Sequence, residues 1–213
     1  MSLALVYRGP ATLPGCPEAV AALLADHGLD VVGVGPDGER PLDARTLADA
    51  AVYAQPGGGT LRPAWRHLRR HRRTLREWAA GGGCYLGFCL GAYLAGRGPG
   101  LGLLPGDTDQ YVTSPHATVD DPDLDTLVEV RWRGTVRTVF FQDGARFVGT
   151  HDTEVLARYP AGEPAALVAP YGSGRVGVVG PHPEAPPDWF TDVGLPVHDA
   201  RDLAHDLVAT AIA

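Results

Sequence analysis

Residues 84–95 read CYLGFCLGAYLA: five strand-forming positions, a sharp turn at a cysteine, and six residues able to open a helix. A strand that turns straight into a helix needs small residues on both sides of the turn, and Gly87 and Gly91 stand there, flanking Phe88-Cys89-Leu90. Units of this kind belong to α/β proteins, in which a helix after each strand returns the chain over a parallel sheet. The first half of the chain repeats the alternation. Leu3 to Tyr7, Leu29 to Val34 and Ala51 to Ala54 read as apolar strands. Pro17 to His27, stopped by Gly28, and a weaker stretch at Asp43 to Ala50 read as helices between them. From Arg62 to Ala80 the positions Trp65, Leu68, Leu75, Trp78 and Ala79 recur at helical spacing, which predicts one helix, the longest of the chain, ended by Gly81-Gly82-Gly83.

The middle of the chain changes character. Leu127 to Trp132, Thr135 to Phe141, Arg146 to Gly149, Thr153 to Tyr159 and Ala165 to Ala169 are short β-rich runs broken by turns such as Asp143-Gly144, the pattern of antiparallel strands. Arg175 to Val179 then predicts a last strand, followed by a Pro-rich loop and a closing helix over Arg201 to Ile212. At 213 residues, with 45% apolar residues and no internal repeat or linker, one domain over residues 1–213 is expected. The 28 glycines and 19 prolines then mean many tight turns rather than low complexity.

The formal charge of −7 gives no electrostatic reason to expect nucleic acid or an anionic membrane as a partner. Three cysteines, no signal-peptide pattern over residues 1–8 and no apolar stretch near the ~18 residues of a membrane span lead to the expectation of a cytoplasmic protein with reduced thiols.

A thiol at the start of a helix is favoured as a thiolate by the helix dipole and by free N–H groups, which sets Cys89 apart from a packed core thiol. A thiol nucleophile also needs a base and an oxyanion pocket. Gln55-Pro56-Gly57-Gly58-Gly59 follows a strand directly and could bring backbone N–H groups to a developing oxyanion, with Leu90 N–H as the second donor. Gly180-Pro181-His182-Pro183-Glu184 follows the last strand, where His182 could take the thiol proton and Glu184 could fix its tautomer.

Together these segments resemble the class I glutamine amidotransferase-like superfamily, and most closely the domain at the N-terminus of eukaryotic biotin–protein ligases. The residues that carry the resemblance are Pro56-Gly57-Gly58, Gly82 through Tyr93, and Gly172 to Gly174 followed by Gly180 through Glu184. It implies a flavodoxin-like, mostly parallel sheet with flanking helices, here with an antiparallel β-rich insertion. It further implies a Cys89, His182 and Glu184 triad, oxyanion donors at Gly58 and Leu90, and acyl transfer through a thioester. Glutamine-hydrolysing members carry glutamine four residues after the cysteine to contact the substrate; Tyr93 stands there in this chain, so glutamine is not carried over as the substrate. The whole chain is used by the amidotransferase-like pattern, and biotinylation is not expected.

The expectation is therefore a cysteine-dependent amide hydrolase or acyl transferase, with Gly57, Gly58, Leu90 and Tyr93 at the oxyanion and substrate site. It takes a small-molecule amide or acyl substrate, with a separate synthase or ligase subunit if the released ammonia is used. The alternative is a catalytically idle regulatory or ligand-binding module that keeps the pocket. No cofactor and no metal are expected, since His116, His151, His198 and His205 show no ligand spacing. The arginines from Arg62 to Arg76 read as a solvated helix face opposite the apolar stripe. Gly33, Gly35 and Gly38 match a dinucleotide fingerprint literally, but no helix follows them. Cys84 reads as buried filler, and Gln110, Tyr111, Gln142 and Asp143 fall in the loop-rich middle region where substrate-selecting residues often lie.

Overall fold

A computed structural model describes residues 2–213. The strands are β1 (Leu3–Tyr7), β2 (Asp30–Val34), β3 (Val52–Gln55), β4 (Cys84–Phe88), β5 (Asp107–Gln110), β6 (Thr126–Trp132), β7 (Thr135–Phe141), β8 (Ala145–Val148), β9 (Glu154–Arg158), β10 (Pro164–Tyr171) and β11 (Gly174–Val179). The helices are α1 (Cys16–Asp26), α2 (Ala44–Ala48), α3 (Leu61–Leu68), α4 (Arg72–Ala80), α5 (Leu90–Ala95), α6 (Pro187–Asp192) and α7 (Arg201–Ile212).

Nine strands form one sheet in the order β2-β1-β3-β4-β11-β10-β9-β6-β7. The first five pair in parallel, the doubly wound order in which the strand sequence reverses beside β1, and ligands bind beyond the carboxyl ends of such strands. The predicted α/β architecture is thus present. The β-rich middle does not form a separate layer: β10, β9, β6 and β7 continue the same sheet antiparallel from β11, and only β5 and β8 pair apart from it. The sheet then bends round on itself, because Phe140 at the end of β7 makes an antiparallel bridge with His182, three residues past β11.

Alternation along each strand builds two cores. Ala4, Val6, Leu86 and Phe88 face α1 and α7, with Leu23, Leu24, Leu203 and Leu207. Leu5, Tyr7, Tyr53 and Tyr85 face α2, α3, α4 and α5, with Leu47, Leu68 and Leu75. Several predicted ends carry their own chemical signals. The Asp43 side chain accepts Thr46 N–H at 2.8 Å to cap α2, and Gly28, at φ +85, lets the chain leave α1.

Two expectations are corrected. Residues 62–80 do not form one helix: a 3-10 turn over Arg69–His71 separates α3 from α4, and α7, with 12 residues, is the longest helix. The six residues between Leu68 and Leu75 are all polar, and Arg66, Arg69, Arg70 and Arg73 would stack like charges three and four apart on a continuous helix. The Pro-rich segment after β11 also contains a helix, α6, started by Pro187 in its first turn and anchored by the buried Phe190. Among the described residues, no helix is long and apolar enough to cross a membrane.

Candidate active site

Cys89 lies between β4 and α5 with φ +46 and ψ −104, a conformation strained for any residue with a side chain. The strain is held from all sides. Cys89 N–H donates to Val179 O of β11 at 2.9 Å, and the Cys89 carbonyl accepts Ala92 N–H at 2.9 Å. A Cβ on Gly91 would lie 2.0 Å from Gln55 O and one on Gly87 2.5 Å from Gly91 O, so only glycine lets α5 approach β3 and β4 this closely. Tyr85 Oη donates to Gly91 O at 2.7 Å and fixes the same turn.

The loop after β3 closes over the cysteine. Gln55 is fully buried yet satisfied, accepting from Tyr53 Oη at 2.8 Å and donating to Ala11 O at 2.9 Å, and Thr12 Oγ1 donates to Gly57 O at 2.7 Å. A Cβ on Gly57 would sit 2.7 Å from His182 Cε1 and 3.2 Å from Cys89 Cβ, which places this glycine against both side chains. Gly58, at φ +87, packs against Leu13, and Gly59, at φ +84, lies open at the cavity wall.

His182 and Glu184 are both buried, and His182 Nδ1 meets Glu184 Oε1 at 2.8 Å. His182 N–H donates to Phe140 O at 2.9 Å, while the rings of Phe140 and Trp189 stand edge-on to the imidazole, 6.1 and 5.3 Å between centroids. Burial alone would strip the imidazole of its proton. The adjacent Cys89 sulfur and Glu184 carboxylate override it, by charge and by hydrogen bonding, and hold the His182 pKa well above the ordinary value. Glu184 Oε2 is buried without a partner, so the carboxylate is committed to the imidazole through Oε1 alone. Burial pushes the Cys16 thiol up to about 11 and the Cys84 thiol up to about 12, in keeping with Cys84 as packing.

Cys89 opens onto a cavity of about 630 Å³ whose wall includes Leu90, Tyr93 and Gly59. Leu90 is the first residue of α5, where N–H groups have no partner within the helix. Gly57 thus packs against Cys89 and His182, Glu184 holds His182, and Leu90 and Tyr93 share the cavity wall with Cys89, with Gly58 in the loop after β3. Tyr111 goes elsewhere: it is buried and stacked on Tyr159 with centroids 3.7 Å apart. Gln142 and Asp143 do reach the cavity, and Cys89 Sγ lies 3.5 Å from Gln142 O. Asp107, Asp109 and Asp123 line it as well, and sequence reading missed them. Their one signal was the acidic composition of residues 107–125, which resembles an ordinary solvated loop.

The same arrangement of strands and helices occurs in solved glutamine amidotransferases. One matches with a TM-score of 0.68 and 15% identity, covering 100% of both chains. The fold is that of a glutamine amidotransferase. The amidotransferase of Thermotoga maritima matches with a TM-score of 0.66 and 13% identity, covering 99% of this chain and 98% of that one. Among curated sequences, the imidazole glycerol phosphate synthase subunit HisH of Microcystis aeruginosa is 33% identical over 124 residues, 52% of this chain and 57% of the relative. The biotin–protein ligase of Schizosaccharomyces pombe is 28% identical over 196 residues, 76% of this chain and 30% of the relative. The chain thus spans about half the length, or less, of the curated relatives it matches. No protein-family model matches it.

Proposed function

We propose that residues 1–213 form one amidotransferase-like domain that acts as a cysteine-dependent amide hydrolase or acyl transferase through Cys89, His182 and Glu184. The observation that carries the reading is the buried His182–Glu184 pair at 2.8 Å beside a cysteine held at φ +46 on the cavity floor. The Cys89 sulfur attacks the acyl carbon of an amide, and the carbonyl electrons move onto oxygen, toward the N–H groups of Gly58 and Leu90. Collapse of this adduct breaks the C–N bond, the leaving amine or ammonia takes the proton held by His182, and a thioester remains on Cys89. Water, losing its proton to His182, then attacks the thioester carbon; the acid departs and the thiol is restored. Glu184 keeps His182 Nδ1 protonated and turned away from the sulfur.

Ammonia released this way would pass to a separate synthase subunit, a role suggested by the likeness to HisH, a subunit of imidazole glycerol phosphate synthase. The finer kinship with the biotin-ligase N-terminal domain rests on the motif resemblance and on the match to the yeast ligase.

The test is the rate of Cys89 alkylation by iodoacetamide, followed by peptide mass spectrometry. At pH 7 Cys89 reacts faster than a small free thiol, and His182→Ala slows it by roughly tenfold or more, the equivalent of one pH unit of thiolate supply. Equal rates in both proteins, matching the free thiol, would sink the triad and leave a ligand-binding module as the better reading.

A further inference from the structure

Helices α1 and α7 lie side by side on the sheet face opposite α5, and a histidine from each meets the other across the seam. His27 closes the C-terminal end of α1, where its backbone N–H donates to Leu23 O at 3.0 Å, and His205 stands within α7. Their Nδ1 atoms are 3.5 Å apart and the ring centroids 5.7 Å apart, so these nitrogens are the facing corners of the two rings. The two positions are separated by 178 residues, which is why His205 shows no ligand spacing along the sequence.

A hydrogen bond accounts poorly for this approach, because 3.5 Å is the far end of its range, and with both protons on Nε2 two lone pairs face each other. A metal ion accounts for it better. Zinc takes imidazole nitrogens at about 2.0–2.1 Å in a tetrahedral arrangement, which sets two such nitrogens about 3.3–3.4 Å apart. Small rotations of the rings direct both lone pairs onto an ion beside the line between them, and χ2 of histidine is broad. The nearby carboxylates are engaged elsewhere. Asp26 pairs with Arg201 at 3.7 Å, Asp202 accepts both Arg137 Nη atoms at 2.7 and 2.8 Å, and Asp206 accepts Trp132 Nε1 and Arg133 Nε, each at 2.7 Å. Burial, and after it the charge of His205, lowers the His27 pKa, so at pH 7 this ring is in the neutral form that binds metal. Both rings are half-buried, which leaves an ion a way in.

We propose that His27 and His205 form a two-histidine site for a divalent late first-row transition ion, zinc above all, which staples α1 to α7 through the two Nδ1 atoms. Imidazole suits zinc, copper and nickel, whereas magnesium and calcium take oxygen ligands. Among the described residues no third histidine, cysteine, aspartate or glutamate joins the pair, so water fills the remaining positions and the ion exchanges. Binding to the folded chain stabilises it by mass action. The inference is independent of the chemistry at Cys89.

The experiment follows thermal unfolding of the full chain carrying Cys89→Ala, which removes the cavity thiol as a rival ligand, in zinc chloride or magnesium chloride without chelator. Once zinc exceeds its Kd, Tm rises by about 3–5 °C for each further tenfold of zinc, and magnesium leaves it unchanged. His27→Ala and His205→Ala each abolish the rise. A zinc response that is absent from the parent, survives in either variant or is matched by magnesium overturns the site. A second measurement needs neither variant to fold: acylation of histidines by diethyl pyrocarbonate, read by peptide mass spectrometry. Zinc slows the reaction several-fold at His27 and His205 together, while the exposed His67 and His116 react as before. Protection of only one of the pair, or of neither, overturns the proposal.

Discussion

Gly57 shows how little space separates structure from chemistry in this site. A methyl group there would come 2.7 Å from the imidazole of His182 and 3.2 Å from Cys89 Cβ, so Gly57→Ala must push the imidazole away from the sulfur. Its expected cost in stability is about 1–3 kcal/mol, with a fall of at least tenfold in Cys89 alkylation at pH 7, the larger signal of the two. Glu184→Gln keeps the volume and removes the charge that supports the imidazolium, and the same assay should show a clear loss of rate with little change in the circular dichroism spectrum. The raised pKa of His182 also predicts a pH trend. The folded state binds the proton more tightly than the unfolded chain, so the stability it contributes is fully present below the unfolded value of about 6.5 and is lost as pH rises through the higher folded value. The gap in Tm between wild type and His182→Gln should accordingly be widest near pH 6 and narrow steadily into the alkaline range; a gap that widens with pH would contradict the assignment. At this scale the sequence revealed the triad candidates because nucleophile, base and carboxylate each sit in short glycine- or proline-flanked motifs. It could not reveal Gln142 O beside the sulfur, since any residue supplies a carbonyl, nor Asp123 beside Asp143, which lie twenty positions apart.

At the scale of elements, the strands and helices that alternate along the first half of the chain were legible because β1, α1, β3 and β4 bury apolar faces. The failures have local causes. Two patterns in register, around Leu68 and Leu75, read as one helix although the intervening arginines break it. Strand β5, with the sequence Asp-Thr-Asp-Gln, has no apolar face at all and exists through its pairing with β8. Helix α6 hides behind prolines that read as loop, yet it sets Trp189 5.3 Å from the His182 ring and screens it from water. The break between α3 and α4 is open to repair. Arg70→Glu would place a carboxylate four residues after Arg66 and three before Arg73, each new pair worth about 0.2–0.5 kcal/mol. Thermal unfolding should shift upward by about 1–3 °C, and a downward shift would show that the arginine row is held by something other than its own repulsion.

At the scale of the molecule, stability and reactivity are separable. Leu207 of α7 is fully buried, and a Cβ on Gly177 of β11 would lie 3.3 Å from its Cδ1, so the helix is packed tightly onto the back of the sheet. Leu207→Ala should cost about 2–5 kcal/mol and lower Tm by roughly 10 °C, while Cys89 alkylation at 20 °C stays within about twofold of wild type, since α7 packs on the far face of the sheet from Leu90 and the cavity. Sequence patterns predicted both kinds of strand but not that they share one sheet, because pairing partners far apart in the chain leave no local mark. The bridge from Phe140 to His182 joins the last strand of that sheet to the segment just beyond β11, and this makes a closed circuit of strands whose closing link is His182 itself. A circuit has a fixed circumference. Adding or removing a strand between β11 and β7 would part His182 from Cys89, whereas lengthening a rim loop would not. The circuit thus ties the number of strands to the position of His182 and leaves the loops around the cavity free to differ in length.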